Sequence, residues 1–473
     1  MSEYTPTIGL EIHAELKTQT KMFCSSRNDP DESRPNVNVC PVCLAHPGTL
    51  PVINREAVRH VLHVGASLGG ELADYTEFDR KNYFYPDLPK GYQLSQYEHP
   101  LVSGGALGGV SIIRIHLEED TASSMHDEAA GTTSIDYNRA GIPLMELVTE
   151  PVIMSAREAG SFARELQLLL RYLNASDANM EKGEMRVEAN VSVARDGIRG
   201  TKVEIKNLNS FRAMERAVEY EIERQQALLE KGETVAQETR GWDEGRQATF
   251  AQRIKEGSAD YRYFPDPDLP SLKLSEIPEL LDESLLELPW ERRERYIRMG
   301  IKPDDAESYV REPRLGAFFE EVSQGYEKEA VLLASNYIAN DLVKIIRDIE
   351  ERDTQTHHEI PISSHNFKKI IDMLMSRKIS SRAAKNILAL CAQTSEDPTV
   401  IAKRGDLMQT SADPDAIEAA VFSVISSNMK VVNDFRAGKA AALEFLVGQS
   451  MRALRGAANP TVIRQILMEK LRS

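Results

Sequence analysis

Cysteine and tryptophan are scarce in this 473-residue sequence, at four and two residues. So few thiols in so long a chain exclude a disulfide scaffold. No apolar run approaches the roughly 20 residues that cross a bilayer. The opening Met-Ser-Glu-Tyr-Thr-Pro lacks the basic and apolar segments of an export signal, and it is acidic where a transit peptide carries arginine. A cytoplasmic protein without membrane contact is the expectation. Positive charge is short too, since the net charge is -16, which discourages non-specific binding to polyanions. The shortage is uneven. From Asn366 onward Lys and Arg outnumber Asp and Glu, and such a basic appendage either holds nucleic acid or is simply solvated. No Gly-x-x-x-x-Gly-Lys-[Ser/Thr] occurs, so a P-loop is excluded. The Gly-rich residues 104–109 lack that lysine and read as a turn. There is no internal repeat, and the length predicts two to four domains.

Within this ordinary composition residues 9–16, Gly-Leu-Glu-Ile-His-Ala-Glu-Leu, are distinctive. Period two puts Leu10, Ile12, Ala14 and Leu16 on one face of a strand and Glu11, His13 and Glu15 on the other. Two carboxylates beside an imidazole suit a hard divalent cation such as Mg²⁺ or Mn²⁺. A solvated strand face with a chance histidine reads the same way. Residues 110–119 also alternate, with Ile113, Ile115, Leu117 and Glu119 on one face and Arg114, His116 and Glu118 on the other. They end in Glu118-Glu119-Asp120, a run that repels itself unless solvated or metal-bound. Glu146 and Glu150 follow in a third apolar stretch, Glu150 held extended by Pro151.

Residues 79–92 form an aromatic, proline-punctuated loop of the kind that lines sites or covers a sheet. Helices are predicted over 155–173, with Ser155 as N-cap, and over 211–231, ended by Gly232. Between them lie two strands, 184–193 and 201–206, joined by a hairpin at 196–200. Asn207-Leu208-Asn209-Ser210 opens the second helix, where free N–H groups favour an anion, phosphate included. From about Pro289 the pattern is helical. In the final helix Asn459 caps, Pro460 takes the first position, and Ile463, Ile466, Leu467 and Leu471 make one stripe.

Cys40 and Cys43 form a C-x-x-C with Cys24 upstream, but Ser26 stands where a fourth thiolate would complete a structural zinc site. His46 is an alternative fourth ligand. A knuckle that keeps its shape by packing is expected, with zinc weak or absent.

Taken in order, several long motifs resemble the GatB family, the B subunits of tRNA-dependent amidotransferases. They are Ile8-Gly9-Leu10-Glu11-Ile12-His13, Val39-Cys40-Pro41-Val42-Cys43, residues 81–92, His116-Leu117-Glu118-Glu119-Asp120, Tyr137-Asn138-Arg139-Ala140-Gly141, residues 187–192 and 206–210, Asp260-Tyr261-Arg262-Tyr263-Phe264-Pro265 and Gly456-Ala457-Ala458-Asn459-Pro460. The resemblance implies an α+β fold: an antiparallel-sheet, glutamine-synthetase-like cradle domain over 1–293, an all-helical domain over 294–405 and a small helical YqeY-like tail over 406–473. It implies ATP- and Mg²⁺-dependent phosphorylation of the side-chain carboxylate of Glu or Asp mischarged on tRNA-Gln or tRNA-Asn. Amidation would follow, with ammonia from the amidase subunit GatA and with GatC completing a heterotrimer. By motif it carries metal ligation to Glu11, His13, Glu119 and Glu150. It places Lys81 and Glu119 at the mouth of the ammonia path, and Lys439, Arg452 and Arg455 against tRNA backbone. Asn207, Asn209 and Ser210 are the expected nucleotide-binding residues.

Overall fold

Alternation builds the centre of the molecule. In the computed structural model, which describes residues 4–127, 129–195, 198–254, 261–280, 287–352, 359–408, 414–454, 458 and 460–472, β1 (Thr5–Glu15) buries Ile8, Leu10, Ile12 and Ala14. Each such side chain contributes about 1.5–3 kcal/mol relative to exposure. The strands β2 (Asp79–Asn82), β3 (Tyr92–Ser95), β4 (Val110–Glu119), β5 (Pro143–Thr149), β6 (Met185–Ala194), β7 (Val203–Leu208), β8 (Glu238–Asp243) and β9 (Ala248–Ile254) follow.

β1 sits in the middle of a ten-stranded sheet whose order is β9-β8-β7-β6-β1-β5-β4, with short edge strands beyond β4. Its main pairs are antiparallel except β7 with β8, which is parallel. The sheet is therefore mixed rather than purely antiparallel. The cause is the long helix between these two strands, the kind of crossover that a parallel pair requires. β2 and β3 pair separately, with Phe264–Pro265 completing a three-stranded sheet.

Three helices, α1 (Arg55–Ser67), α2 (Ala156–Tyr172) and α3 (Phe211–Glu230), pack against the main sheet, α1 on β4, α2 on β1 and α3 on β6 and β7. Their starts are capped by Asn54, Ser155 and Ser210, whose side chains accept backbone N–H bonds. Such caps are worth about 0.5–2 kcal/mol each. Past α3, Gly232 takes φ +76°, a left-handed turn that ends the helix.

One alternation is corrected by a bulge. β4 pairs Arg114 with Val148 but Ile112 with Thr149, so Ile113 is the extra residue and is 39% exposed, while Ile112 is buried. Ile112, not Ile113, joins Ile115 and Leu117 in the core.

The chain separates into two compact units, Met1–Pro289 and Trp290–Ser473. Among its described residues the second is built of helices, beginning with Pro289–Arg298 and ending with Pro460–Arg472. Tyr309 stacks on Phe319 at 4.6 Å between centroids, with Tyr296 edge-on to both. The last four helices close over their own apolar cluster of Val421, Val432, Leu446, Ile463, Leu467 and Leu471. The expected hairpin at 196–200 and the capping Asn459 fall wholly or partly outside the described residues. No helix among those described is long and apolar enough to cross a membrane.

Candidate active site

With one face of the sheet apolar, the alternate residues of neighbouring strands meet on the other. The register sets His13 between Glu146 of β5 and Arg186 of β6, and Glu146 beside His116 of β4. His13 Nε2 is 3.4 Å from Glu146 Oε2 and 3.5 Å from Glu118 Oε1. His116 Nε2 is 3.3 Å from the same Glu146 oxygen. Glu11 lies opposite Glu188, which pairs with Lys206 of β7 at 2.8 Å. Three sets of side chains, Glu11-His13-Glu146, His116-Glu118-Glu146 and Glu11-Glu188-Glu204, each bring their ligand atoms within 4.8 Å of one another.

The electrostatics follow from this crowding. Burial opposes charge on His13, but the hydrogen bond and charge of Glu146, with Glu118 and Glu11, outweigh it and raise its pKa to about 9. Burial likewise opposes the Glu146 anion, yet the two imidazoles hold its carboxyl well below the usual range. Burial and Glu146 together push Glu11 up. The protonated His13 supplies positive charge where several carboxylates converge. Glu118 Oε2 is buried without a hydrogen-bond partner, a costly arrangement for a carboxylate oxygen unless a cation meets it. Oxygen donors with one or two imidazoles suit Mg²⁺ or Mn²⁺, so the residues present fit such an ion.

Lys81, at the end of β2, overlooks this cluster. Its ammonium lies 5.3 Å from the Tyr261 ring centroid and 6.0 Å from that of Tyr83. Burial opposes its charge, but Glu118, Tyr263 and Glu146 prevail and the pKa is raised. Asn82 pins the overlying segment by donating to the carbonyl of Arg262 at 2.8 Å. On the same polar face Asp120 is gripped by two guanidinium groups, Arg186 at 2.8 Å and Arg139 at 2.5 Å. Burial opposes the Asp120 anion, but Arg186 and Arg139 hold its carboxyl below the usual range. Burial and Asp120 raise nearby Glu15 to about 7.

Of the expected ligands, Glu11 and His13 are brought together, but Glu119 and Glu150 are not. Glu119 has the opposite strand parity from Glu118. Its oxygens are taken by Lys90 Nζ at 2.6 Å and the Leu94 N–H at 2.9 Å. Glu150 follows the bulge past the end of β5 and belongs to none of the close sets. Glu118 and Glu146 occupy the corresponding places beside His13. Parity alone separated Glu118 from Glu119, since His116 and Glu118 share a face. The pairing of Glu146 with His13 depends on register between distant strands, which no local pattern contains.

Asn207 and Asn209 are exposed, and the Ser210 hydroxyl accepts from Ala213 N–H as the α3 cap. Lys439 is exposed and paired with Asp434 at 2.9 Å, Arg452 is exposed on its helix, and Arg455 lies outside the described residues. Cys24, Cys40 and Cys43 do converge, each sulfur within 4.8 Å of the others. Ser26 Oγ is 3.7 Å and the fully buried Lys21 Nζ 3.9 Å from Cys43 Sγ, while His46 is outside the set. Burial lowers the Lys21 pKa, and Cys43, Cys24 and Cys40 beside it oppose that shift. Cys24, Cys43, His46, Lys90 and Glu119 line one cavity of about 250 Å³.

The sequence matches two family descriptions, GatB/GatE catalytic domain over residues 6–278 and GatB domain over residues 317–471. Among similar proteins, the B subunit of the aspartyl/glutamyl-tRNA(Asn/Gln) amidotransferase of Carboxydothermus hydrogenoformans is 42% identical, covering 100% of this chain and 99% of its own. The proteins of the same name from Thermus thermophilus and Thermomicrobium roseum are 43% and 44% identical, each with 99% of both chains covered. The chain belongs to the GatB family, the B subunits of the aspartyl/glutamyl-tRNA(Asn/Gln) amidotransferases.

Proposed function

We propose that this chain is the subunit that converts the side-chain carboxylate of Glu or Asp, mischarged on tRNA-Gln or tRNA-Asn, into the amide at the expense of ATP. A carboxylate resists ammonia because its carbon is a poor electrophile and oxide a poor leaving group. Phosphorylation removes both obstacles. A carboxylate oxygen attacks the γ-phosphorus of ATP, the bond to the β–γ bridging oxygen breaks, and ADP departs with the electron pair. Ammonia then attacks the acyl carbon, inorganic phosphate leaves, and the surplus proton passes to solvent or a nearby base.

Glu11, His13, Glu118 and Glu146 would hold the divalent ion, with Glu188 and Glu204 beside them. When bound, Mg²⁺ supplies charge neutralisation to the transferring phosphoryl group. Lys81 keeps a cation over the same face, and its tyrosine enclosure limits water near the developing charge. The observation that carries this reading is the orphaned, buried Glu118 oxygen among carboxylates and imidazoles from neighbouring strands.

The sheet unit would act as a glutamine-synthetase-like cradle, with residues 294–405 a helical domain and 406–473 a YqeY-like tail. Tail residues Lys439, Arg452 and Arg455 would contact tRNA phosphates, fixing position rather than reading bases. Ammonia would come from a GatA amidase subunit, with GatC completing a cytoplasmic heterotrimer. The test is ATP hydrolysis by that complex in the presence of Glu-tRNA-Gln. It should depend on the mischarged tRNA and be lost in Glu11→Ala, whereas full activity in that variant removes the metal assignment.

A further inference from the structure

The polar face of the sheet is not uniformly acidic. Carboxylates crowd around His13, but along β6 the next position is Arg186, directly opposite His13 in register. Its guanidinium donates from Nη2 to Asp120 Oδ1 at 2.8 Å, and its remaining N–H groups make no hydrogen bond among the described residues. The side chain is 42% exposed, open to a ligand, whereas Asp120 beneath it is 3% exposed. Arg139 holds the other Asp120 oxygen and also reaches Glu15 at 2.7 Å, and its Nε is buried without a partner. Two guanidinium groups therefore meet on one carboxylate, one at each of its oxygens. Glu15, a second acid at this end, is taken by Arg139, which leaves the outer edge of the Arg186 guanidinium to a further anion.

We propose that Arg186 is an anion-binding catalytic residue, holding the oxygens of the phosphoryl group as it passes from ATP to the substrate carboxylate, with Asp120 and Arg139 as its positioning residues. This rests on the functional reading above and names a residue for it. Three features support the choice. An arginine fork matches two phosphoryl oxygens at once. Asp120, anchored on both oxygens, fixes the fork so that its free edge needs no reorganisation. The position opposite His13 sets the donors beside the carboxylate cluster, where a phosphoryl group could meet a divalent ion and a guanidinium together. Lys206 is committed to Glu188 at 2.8 Å, so it is less suited to the role.

The test compares the unaltered amidotransferase complex with Arg186→Gln and Arg186→Lys forms. It measures tRNA-dependent ATP hydrolysis, inhibition by inorganic phosphate, and phosphate binding by isothermal titration calorimetry. Removing one such donor should lower kcat by about 10²–10³-fold and weaken phosphate inhibition at least about tenfold, while glutamine hydrolysis is unchanged. Arg186→Lys, which keeps the charge against Asp120, should recover stability but only part of kcat, because an ammonium cannot span two oxygens. A merely structural ion pair would be restored by lysine and would leave phosphate inhibition unmoved. Unchanged phosphate inhibition in both variants overturns the proposal. If the unaltered complex hydrolyses no ATP, the functional reading fails instead, and calorimetry with inorganic phosphate still decides whether Arg186 binds the anion.

Discussion

The charge on His13 offers a sharp test of the site's electrostatics. The imidazole is half-buried, with 14% of its side chain exposed, and lies within 3.5 Å of two carboxylates. Burial alone would lower its pKa, and Glu146 is the largest contributor opposing it, so that the value is raised to about 9. A histidine whose folded value exceeds its unfolded value of about 6.5 adds stability that is fully present below pH 6.5 and is lost as pH rises through about 9. The difference between the two values corresponds to about 3 kcal/mol. Glu146→Gln keeps the shape and removes the largest opposing charge, so burial gains ground against Glu118 and Glu11 and the His13 pKa should fall clearly below that of the unaltered protein. The assay is NMR of ¹³C-labelled histidine in chelator across pH 5–10, with urea unfolding at pH 6 and pH 9.5. The unaltered protein should lose the extra stability between these values, and Glu146→Gln should lose much less. A His13 titration near 6.5 in both proteins refutes the reasoning. Adding Mg²⁺ at pH 8 should release close to one proton per ion, because the metal takes the nitrogen that the proton held.

Glu118→Gln should weaken Mn²⁺ binding at least about tenfold by calorimetry, whereas Glu119→Gln, which loses only its Lys90 pair, should leave it within about twofold. Ser26→Cys restores a fourth sulfur beside Cys24, Cys40 and Cys43, and elemental analysis should find close to one zinc per chain, well above the unaltered protein. Ile12→Ala empties a fully buried position at the centre of β1 and should cost about 2–5 kcal/mol in urea unfolding of the first unit.

Much of this arrangement was legible in the sequence because it depends on local period. The polar face of β1, the α2 cap and the start of α3 need only a few consecutive residues. What was not legible depends on pairing between distant segments. The crossover that makes β7 and β8 parallel leaves no mark in either strand. The bulge that ejects Ile113 is fixed by its partner, since β4 read alone alternates without interruption. The motif resemblance led to Glu119, one strand step from Glu118, and to Glu150, four residues beyond Glu146 and past the end of its strand. A carboxylate's neighbours in sequence say nothing of Lys90, in the turn before β3, and the Leu94 N–H of β3, which occupy Glu119 from another segment.

Anomalous scattering from crystals soaked in Mn²⁺ tests the central claim most directly. A peak within about 2.5 Å of ligand atoms from His13, Glu118, Glu146 or Glu11 is the predicted result. A peak at Glu119 or Glu150, or none on the polar face of the sheet at saturating Mn²⁺, contradicts it.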